Sequence, residues 1–263
     1  MGVDAWDDGP AYERYVGRWS RLVARQFVRW VGAPAGSAWL DFGCGSGALT
    51  HTILTGGSPR LVIGCDRSAV YVDQARRQAS DPRAQFIVAN LGDLPRVDGG
   101  FDVSVSGLVL NFLPHPGDAL AALAARVRPR GTIAAYVWDY EEGMQLMRVF
   151  WDAVVALDAS AQALDEGVRF PLCRPDPLRQ LFESAGFQNV EVTSIDVPTV
   201  FRSFDDYWQP FLGGQGPAPG YVMGVSPEHR EALRTAVQQR LPVDAAGQIP
   251  LTARAWAARG VVS

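Results

Sequence analysis

Between residues 38 and 138, short apolar runs alternate with segments of helical character, and this alternation constrains the fold more than any other feature. The runs predicted as strands are Ala38–Phe42, Arg60–Cys65, Gln85–Ala89, Phe101–Ser106 and Gly131–Trp138. The segments predicted as helices between them are Ala48–Leu54, Ala69–Ala79 and Asp118–Val127. Such alternation favours a parallel sheet with helices on both faces. Right-handed crossovers place the loops that follow the strands along one edge of the sheet, where ligands bind.

The pattern loosens after Trp138. Further helices are predicted over Met144–Leu157, Pro177–Ala185 and Pro227–Leu241, and further strands over Val190–Val197 and Ile249–Val262. A helical segment also precedes the alternating region, because apolar and aromatic residues recur at helical spacing over residues 11–31. The chain is therefore expected to be one α/β core with added segments before and after it.

Composition narrows the classes of protein. Of 263 residues, 48% are apolar and 20% are charged, which predicts a folded globular protein. The net charge is −4 and the arginines are scattered, so no nucleic-acid partner is expected. The sequence has neither an apolar run long enough to span a bilayer nor a signal-peptide pattern, so we expect a cytoplasmic protein without a membrane partner. The three cysteines and three histidines form no paired ligand set, and no metal is expected.

A glycine-rich turn, Gly43–Gly47, joins the first predicted strand to the first helix of the core. Glycines let a backbone approach a ligand closely, and the following helix offers its N-terminal N–H groups. Gly43, Gly45 and Ala48 match the dinucleotide pattern GxGxxG/A. Asp66 ends the second strand, where a carboxylate suits ribose hydroxyls. These residues alone leave two cofactors open, a nicotinamide dinucleotide and S-adenosylmethionine.

Further residues favour the second cofactor. Asp41 stands two positions before Gly43, and a carboxylate there suits a cationic ligand better than a pyrophosphate. Other motifs follow in order: Gly47 as a third glycine, the segment 88–95, Phe101-Asp102, and the segment 127–131. This ordered set resembles the class I S-adenosylmethionine-dependent methyltransferases, particularly the branch that includes ubiquinone- and menaquinone-biosynthesis and similar small-molecule methyltransferases. The resemblance covers residues 10–140.

The resemblance implies S-adenosylmethionine as cofactor, S-adenosylhomocysteine as product, and a set of contacts to the methionyl end. The turn residues Gly43, Cys44, Gly45 and Gly47 would contact the methionyl part, and Asp41 would lie near its ammonium group. Ser106 and Gly107 would lie along the methionine. An N-terminal segment of this branch folds over the cofactor, so Tyr15 would face the sulfonium and Arg18 would pair with the carboxylate.

At the nucleoside end, the resemblance assigns Asp66 to the ribose hydroxyls and Arg67 to a place beside the adenine. Asn90 and Leu91 would meet the adenine edge. Asn90 replaces an aspartate that is common in the family, and its amide carbonyl can still accept from the adenine amino group. Arg130 occupies a position where the family usually has glycine.

The acceptor side is predicted from position and residue type. The residues expected to line a substrate pocket are Trp19, Asn111, Trp138, Tyr207 and Trp208. His115 lies on the loop after the fourth strand, where substrates arrive, and it is therefore a candidate general base. A histidine between two prolines can equally be an ordinary polar loop residue.

The fold expected from the resemblance is a Rossmann-like α/β domain with a seven-stranded, mainly parallel sheet, an antiparallel last strand and helical cap insertions. In this single domain, residues 1–36 cover the cofactor and residues 37–138 bind it. Residues 139–185 and 199–247 cap the substrate, and residues 248–263 form the final strand.

The predicted activity is methyl transfer to a small-molecule acceptor by in-line displacement. An acceptor that is already acidic needs no base, so the absence of a recognisable catalytic dyad in the sequence does not argue against this class. Two alternatives remain open at this point: an NAD(P)-dependent oxidoreductase, and a non-catalytic protein that binds S-adenosylmethionine or S-adenosylhomocysteine.

Overall fold

The computed structural model describes residues 16–213 and 216–263, so the predicted cofactor contact Tyr15 lies outside the described residues. Seven strands form one sheet in the order β3-β2-β1-β4-β5-β7-β6. Their bounds are β1 Ala38–Phe42, β2 Leu61–Asp66, β3 Ala84–Val88, β4 Phe101–Gly107, β5 Val127–Trp138, β6 Gln188–Phe201 and β7 Ile249–Val261. Strands β1 to β5 pair in parallel, with β1 between β2 and β4. The predicted fold class is confirmed.

The last strand, β7, runs antiparallel to β5. Near the start of β5, the Arg130 N–H donates to the Val262 carbonyl at 2.9 Å. Just beyond the end of β5, the Asp139 N–H donates to the Arg254 carbonyl at 2.9 Å. Partner numbers therefore fall along β7 as they rise along β5, which is the antiparallel pattern. This orientation confirms the prediction for the final strand.

The helices begin at residues that favour helix starts. Ser68 caps its helix by accepting from the Tyr71 N–H, and several other helices carry proline in their first turn. The helices are α1 Arg18–Val31, α2 Ala48–Gly56, α3 Ala69–Gln78, α4 Pro116–Ala124, α5 Gln145–Leu157, α6 Glu166–Arg169, α7 Pro175–Ser184, α8 Phe204–Trp208, α9 Pro217–Gly224 and α10 Pro227–Arg240. Within the described part of the chain, none of them has the length and apolar character that crossing a membrane requires.

The boundary between α4 and β5 differs from the prediction. Proline at position 116 starts α4 two residues earlier than expected, and the helix ends at Ala124. Strand β5 begins at Val127 and includes the segment 127–131, and its register against β4 shifts between Phe101 and Val103. Within this segment, Arg130 has a φ of 63°, the left-handed backbone that glycine adopts most easily. The expectation that this position suits glycine is confirmed.

The chain divides into two compact units. The core unit comprises Arg21–Val137, Arg174–Ile195 and Trp256–Ser263. The insertion unit comprises the described residues among 1–20, Trp138–Cys173 and Asp196–Ala255. The glycine turn and the ends of β1, β2, β3 and β4 all belong to the core unit. The predicted capping role of residues 139–185 and 199–247 stays a prediction.

Candidate functional site

The backbone of the turn between β1 and α2 adopts a conformation that favours glycine. Gly43 and Gly45 have φ values of 72° and 53°. A Cβ added to Gly43 would lie 2.5 Å from Val109 Cγ2, so this position is also closed sterically. A Cβ added to Gly45 would meet no atom of the described residues within 4 Å. Gly45 therefore faces open space, as a residue against which a ligand lies must do.

The N–H groups of the turn are largely used within the protein. The N–H groups of Gly43 and Cys44 donate to the Cys65 carbonyl at 2.8 and 3.0 Å. The Gly45 N–H donates to the Asp66 carboxylate at 3.0 Å. A dinucleotide pyrophosphate needs such groups as its donors. These hydrogen bonds therefore hold the turn against the end of β2, and the three N–H groups are not available to bind a phosphate.

Asp41 is the most constrained polar residue of the site. It is 1% exposed at the end of β1, and the Thr50 hydroxyl donates to its Oδ2 at 2.6 Å. Its Oδ1 is buried and has no hydrogen-bond partner within residues 16–213 and 216–263. Burial raises the pKa of Asp41 to about 7, although the hydrogen bonds from Thr50 oppose this shift and the charge of Asp66 adds to it. A ligand ammonium would supply both the missing donor and the missing charge.

The electrostatic environment of the turn is negative. Burial raises the pKa of the Cys65 thiol to about 12, and the charges of Asp41 and Asp66 contribute to this shift. Burial and the same two charges also hold the pKa of the Cys44 thiol far above its ordinary range, so both cysteines are inert packing residues. This environment suits a cation and opposes a pyrophosphate.

Asp66 ends β2 with both carboxylate oxygens already in use. Oδ2 accepts from the Gly45 N–H, and Oδ1 accepts from the Ser68 N–H at 2.8 Å. Each carboxylate oxygen has a second acceptor site, so ribose hydroxyls can still bind. Arg67, the next residue, is exposed. The ribose and adenine roles of these two residues remain predictions.

Asn90 and Leu91 follow β3, beside the end of β2. The side chain of Asn90 is exposed and does not cap the 3-10 turn Leu91–Asp93, whose last N–H donates to the Asn90 carbonyl. Leu91 is half-buried. Both residues therefore lie at the edge of the sheet where the cofactor's adenine was predicted, and their side chains are accessible there.

The residues at and just after the end of β4 include polar groups that make structural contacts and one buried polar group that has no contact of this kind. The Ser106 hydroxyl is buried and donates to the Phe42 carbonyl at 3.0 Å, so it joins β4 to β1. A Cβ on Gly107 would lie 2.6 Å from the Tyr136 hydroxyl oxygen. The Nδ2 of Asn111, on the following 3-10 turn, is buried and has no partner in the part of the chain that the structure describes. His115 is exposed.

The predicted residues of the insertion unit lie among its own aromatic side chains. The Arg18 guanidinium pairs with Asp206 at 3.1 Å and stacks on the rings of Trp19 and Phe201. Its Nε and Nη2 are buried and have no partners among the residues that the structure describes. The buried Tyr207 hydroxyl donates to the Leu146 carbonyl at 2.7 Å. The other two predicted pocket residues of this unit, Trp138 and Trp208, are also buried. The role of these residues in a substrate pocket stays a prediction.

Sequence reasoning missed two features. One is Thr50, which is one of three threonines in α2, so its residue type alone does not single it out. The other is Glu166 in the insertion unit, a buried carboxyl that accepts from the Trp151 indole N–H. Burial raises the pKa of Glu166 to about 7. Among the residues that the structure describes, no His, Cys, Asp and Glu side chains cluster in a way that could hold a metal ion.

Comparison with known sequences finds a methyltransferase domain over residues 40–131. A 2-phytyl-1,4-naphtoquinone methyltransferase from Trichormus variabilis is 30% identical over 119 residues, which are 43% of this chain and 52% of the relative. A ribosomal protein L11 methyltransferase from Burkholderia mallei is 32% identical over 144 residues, 50% of this chain and 46% of the relative. The chain thus matches about half the length of these relatives.

Similarity to solved structures extends over almost the whole chain. Phosphoethanolamine N-methyltransferase 2 from Haemonchus contortus, in complex with phosphomonomethylethanolamine and S-adenosylhomocysteine, has a TM-score of 0.57 at 15% identity and covers 95% of this chain and 56% of that one. The [4+2]-cyclase SpnF has a TM-score of 0.54 at 18% identity and covers 98% and 89%. At such identities the likeness concerns the fold alone.

Proposed function

Because this chain carries a class I methyltransferase domain, we propose that it transfers a methyl group from S-adenosylmethionine to a small-molecule acceptor. The observation that carries the proposal is the buried Asp41 carboxylate, whose unpaired oxygen at the end of β1 requires a donor. The quinone methyltransferase of Trichormus variabilis supports a small-molecule acceptor, since it is 30% identical to this chain over 119 residues. The net charge of −4 supports an acceptor other than a nucleic acid.

S-adenosylmethionine, when bound, supplies a methyl group attached to a sulfonium. The sulfur is the leaving group, and it departs as a neutral thioether. The residues of the chain then bind and orient this donor. Asp41 receives the ammonium, the open face of Gly45 leaves room for the methionyl chain, and Asp66 receives the ribose hydroxyls. Asn90 and Leu91 border the adenine. Holding the donor in one orientation lets a bound acceptor attack in line, which is the main contribution that a protein can make to this reaction.

A general base is not required from the core unit. Asn111 has an amide, which cannot remove a proton, and His115 is exposed on the loop. An acceptor that ionises near neutral pH reaches the site already activated. We therefore expect acidic acceptors to react faster than neutral amines or alcohols.

The test is calorimetry with S-adenosylhomocysteine and with NAD(P), followed by methylation assays on a panel of phenols, enols, thiols and amines. We expect S-adenosylhomocysteine alone to bind, with Asp66→Ala weakening it roughly tenfold through loss of the ribose acceptor and of the Gly45 contact. Asp73→Ala is the matched control, because this carboxylate pairs with Arg76 on the surface of α3. Binding of NAD(P) instead would disprove the proposal.

A second function stays in view because SpnF, a [4+2]-cyclase, shares the fold. A protein that binds the cofactor without transferring its methyl group would bind S-adenosylhomocysteine as expected and yield no methylated product from any acceptor class. A methylated product from one acceptor of the panel would exclude it.

A further inference from the structure

Asn111 carries an unused hydrogen-bond donor on the loop whose Val109 packs against Gly43 of the glycine turn. It lies on the 3-10 turn Leu110–Phe112 that follows β4. Its amide nitrogen, Nδ2, is buried and has no partner among the described residues. A buried donor without a partner is costly, and native proteins usually reserve such a group for a ligand or an ordered water. Asn111 therefore has a donor available for an acceptor that the described residues do not supply.

Asn111 and Asp41 lie on two chain segments that contact each other. Val109 packs against Gly43 so closely that its Cγ2 lies 2.5 Å from the Cβ position of that glycine. Asp41 precedes Gly43 by two residues, and Asn111 follows Val109 by two residues. Two residues span about 7 Å of chain at most, so each of the two residues lies within that length of chain of the same Gly43–Val109 contact.

The two groups have opposite hydrogen-bonding character. Asp41 Oδ1 is an acceptor on an anionic group, and Asn111 Nδ2 is a donor. An α-amino acid presents an ammonium and a carboxylate separated by one carbon atom, and it therefore needs one acceptor and one donor close together. The methionyl end of S-adenosylmethionine is such a group.

We propose that Asn111 Nδ2 donates to the carboxylate of the cofactor's methionyl end while Asp41 Oδ1 receives its ammonium. The proposal rests on the proposed function, because it takes S-adenosylmethionine as the ligand. It moves Asn111 from the acceptor pocket, where the sequence placed it, to the donor half of the site. It also gives the carboxylate a partner other than Arg18, whose Nη1 pairs with Asp206.

The loop that carries Asn111 is held in place by several contacts, as a binding residue requires. The Leu108 N–H donates to the Tyr136 carbonyl at 2.8 Å, and the Phe112 N–H donates to the Val109 carbonyl at 2.9 Å. Leu108 has a φ of 62°, which a non-glycine residue keeps only where its surroundings impose it. A donor fixed in advance loses little conformational entropy when the ligand binds.

The experiment compares two ligands by calorimetry: S-adenosylhomocysteine, and its decarboxylated analogue, which keeps the ammonium and lacks the carboxylate. Asn111→Leu removes the donor and keeps similar bulk. We expect it to weaken S-adenosylhomocysteine roughly 10- to 100-fold and to leave the analogue unchanged. Asn111→Asp should weaken S-adenosylhomocysteine further, because two carboxylates would then face each other. Asp41→Asn should weaken both ligands.

The outcomes separate this inference from the function on which it rests. If the unaltered protein binds neither ligand, the proposed function fails. If it binds S-adenosylhomocysteine and Asn111→Leu binds it equally well, the assignment of Asn111 is wrong. Equal losses for both ligands would make Asn111 a structural residue and also overturn the inference. A selective loss in Arg18→Ala, without one in Asn111→Leu, would return the carboxylate to Arg18.

Discussion

The buried Asp41 carboxyl predicts that cofactor affinity depends on pH. Its pKa is raised to about 7 in the free protein, whereas an ammonium ligand requires the ionised form. Binding below that pH therefore has to release a proton, which costs free energy. The ammonium and carboxylate of S-adenosylhomocysteine keep their charges between about pH 5 and 7, so the ligand itself contributes little to the change.

The magnitude follows from the ionised fraction of Asp41. Half of the carboxyls are ionised at a pH equal to the pKa, and about 1% are ionised two units lower. If the ligand-bound carboxyl stays ionised, affinity for S-adenosylhomocysteine falls roughly 50-fold from about pH 7 to about pH 5, or about 2.3 kcal/mol. The loss occurs as pH falls, because the protonated form is favoured in the free protein and cannot accept from the ammonium.

Calorimetry across this pH range tests the prediction, with Asp41→Asn as the matched variant. The amide keeps the shape and an acceptor oxygen but does not titrate, so its affinity should be lower at neutral pH and flat down to about pH 5. Proton release measured in two buffers of different ionisation enthalpy gives an independent reading at about pH 6. A flat profile in the unaltered protein would refute the reasoning, as would the same slope in Asp41→Asn.

Two further predictions concern the turn and the insertion unit. Gly45→Ala should weaken the binding of S-adenosylhomocysteine more than tenfold, because the added methyl group would occupy the open space on the ligand side. Gly99→Ala is the control for backbone strain, because Gly99 has a φ of 80° and open surroundings. This control should lower the free energy of unfolding by a similar amount and leave the affinity unchanged. Glu166→Gln should flatten the pH dependence of the free energy of unfolding. The pKa of Glu166 is raised to about 7 in the folded protein, so its contribution to stability is fully present below about pH 4.5 and is lost as the pH rises through about 7. Between about pH 5 and 8, the free energy of unfolding of the unaltered protein should therefore fall by about 2–3 kcal/mol more than that of the variant. Indistinguishable affinities for the two alanine variants would contradict the first, and parallel pH profiles of denaturant unfolding would contradict the second.

The sequence predicted the fold well because periodicity and turn residues are local signals. Strand β1 has the predicted bounds, and the sheet, its antiparallel last strand and the left-handed backbone at Arg130 all appear. The methyltransferase domain matched over residues 40–131 agrees with the predicted family, and the structural neighbours agree with the predicted fold. These features depend on residue types that recur at fixed spacing, which a single sequence displays.

The state of individual polar atoms could not be predicted in the same way. The sequence shows that Asp41 precedes the turn, but not that Thr50 occupies one of its oxygens and leaves the other unpaired. It shows Asn111 on a loop, but not that its amide donor is buried and has no partner among the described residues. It gives no sign that Glu166 is buried against Trp151. Hydrogen-bond satisfaction depends on residues brought together by tertiary packing, and no local pattern reports it.

The same distinction explains why the glycine pattern fits two cofactors while the folded turn favours one. A GxGxxG/A turn binds a pyrophosphate when its N–H groups point at the ligand. In this chain the carbonyl of Cys65 and the carboxylate of Asp66 accept three of those N–H groups. In their place the site has the buried Oδ1 of Asp41, to which none of the described residues donates a hydrogen bond. A phosphate would be repelled there and an ammonium would be bound, so the polarity of the unpaired atoms selects between two ligands that the residue spacing leaves equal.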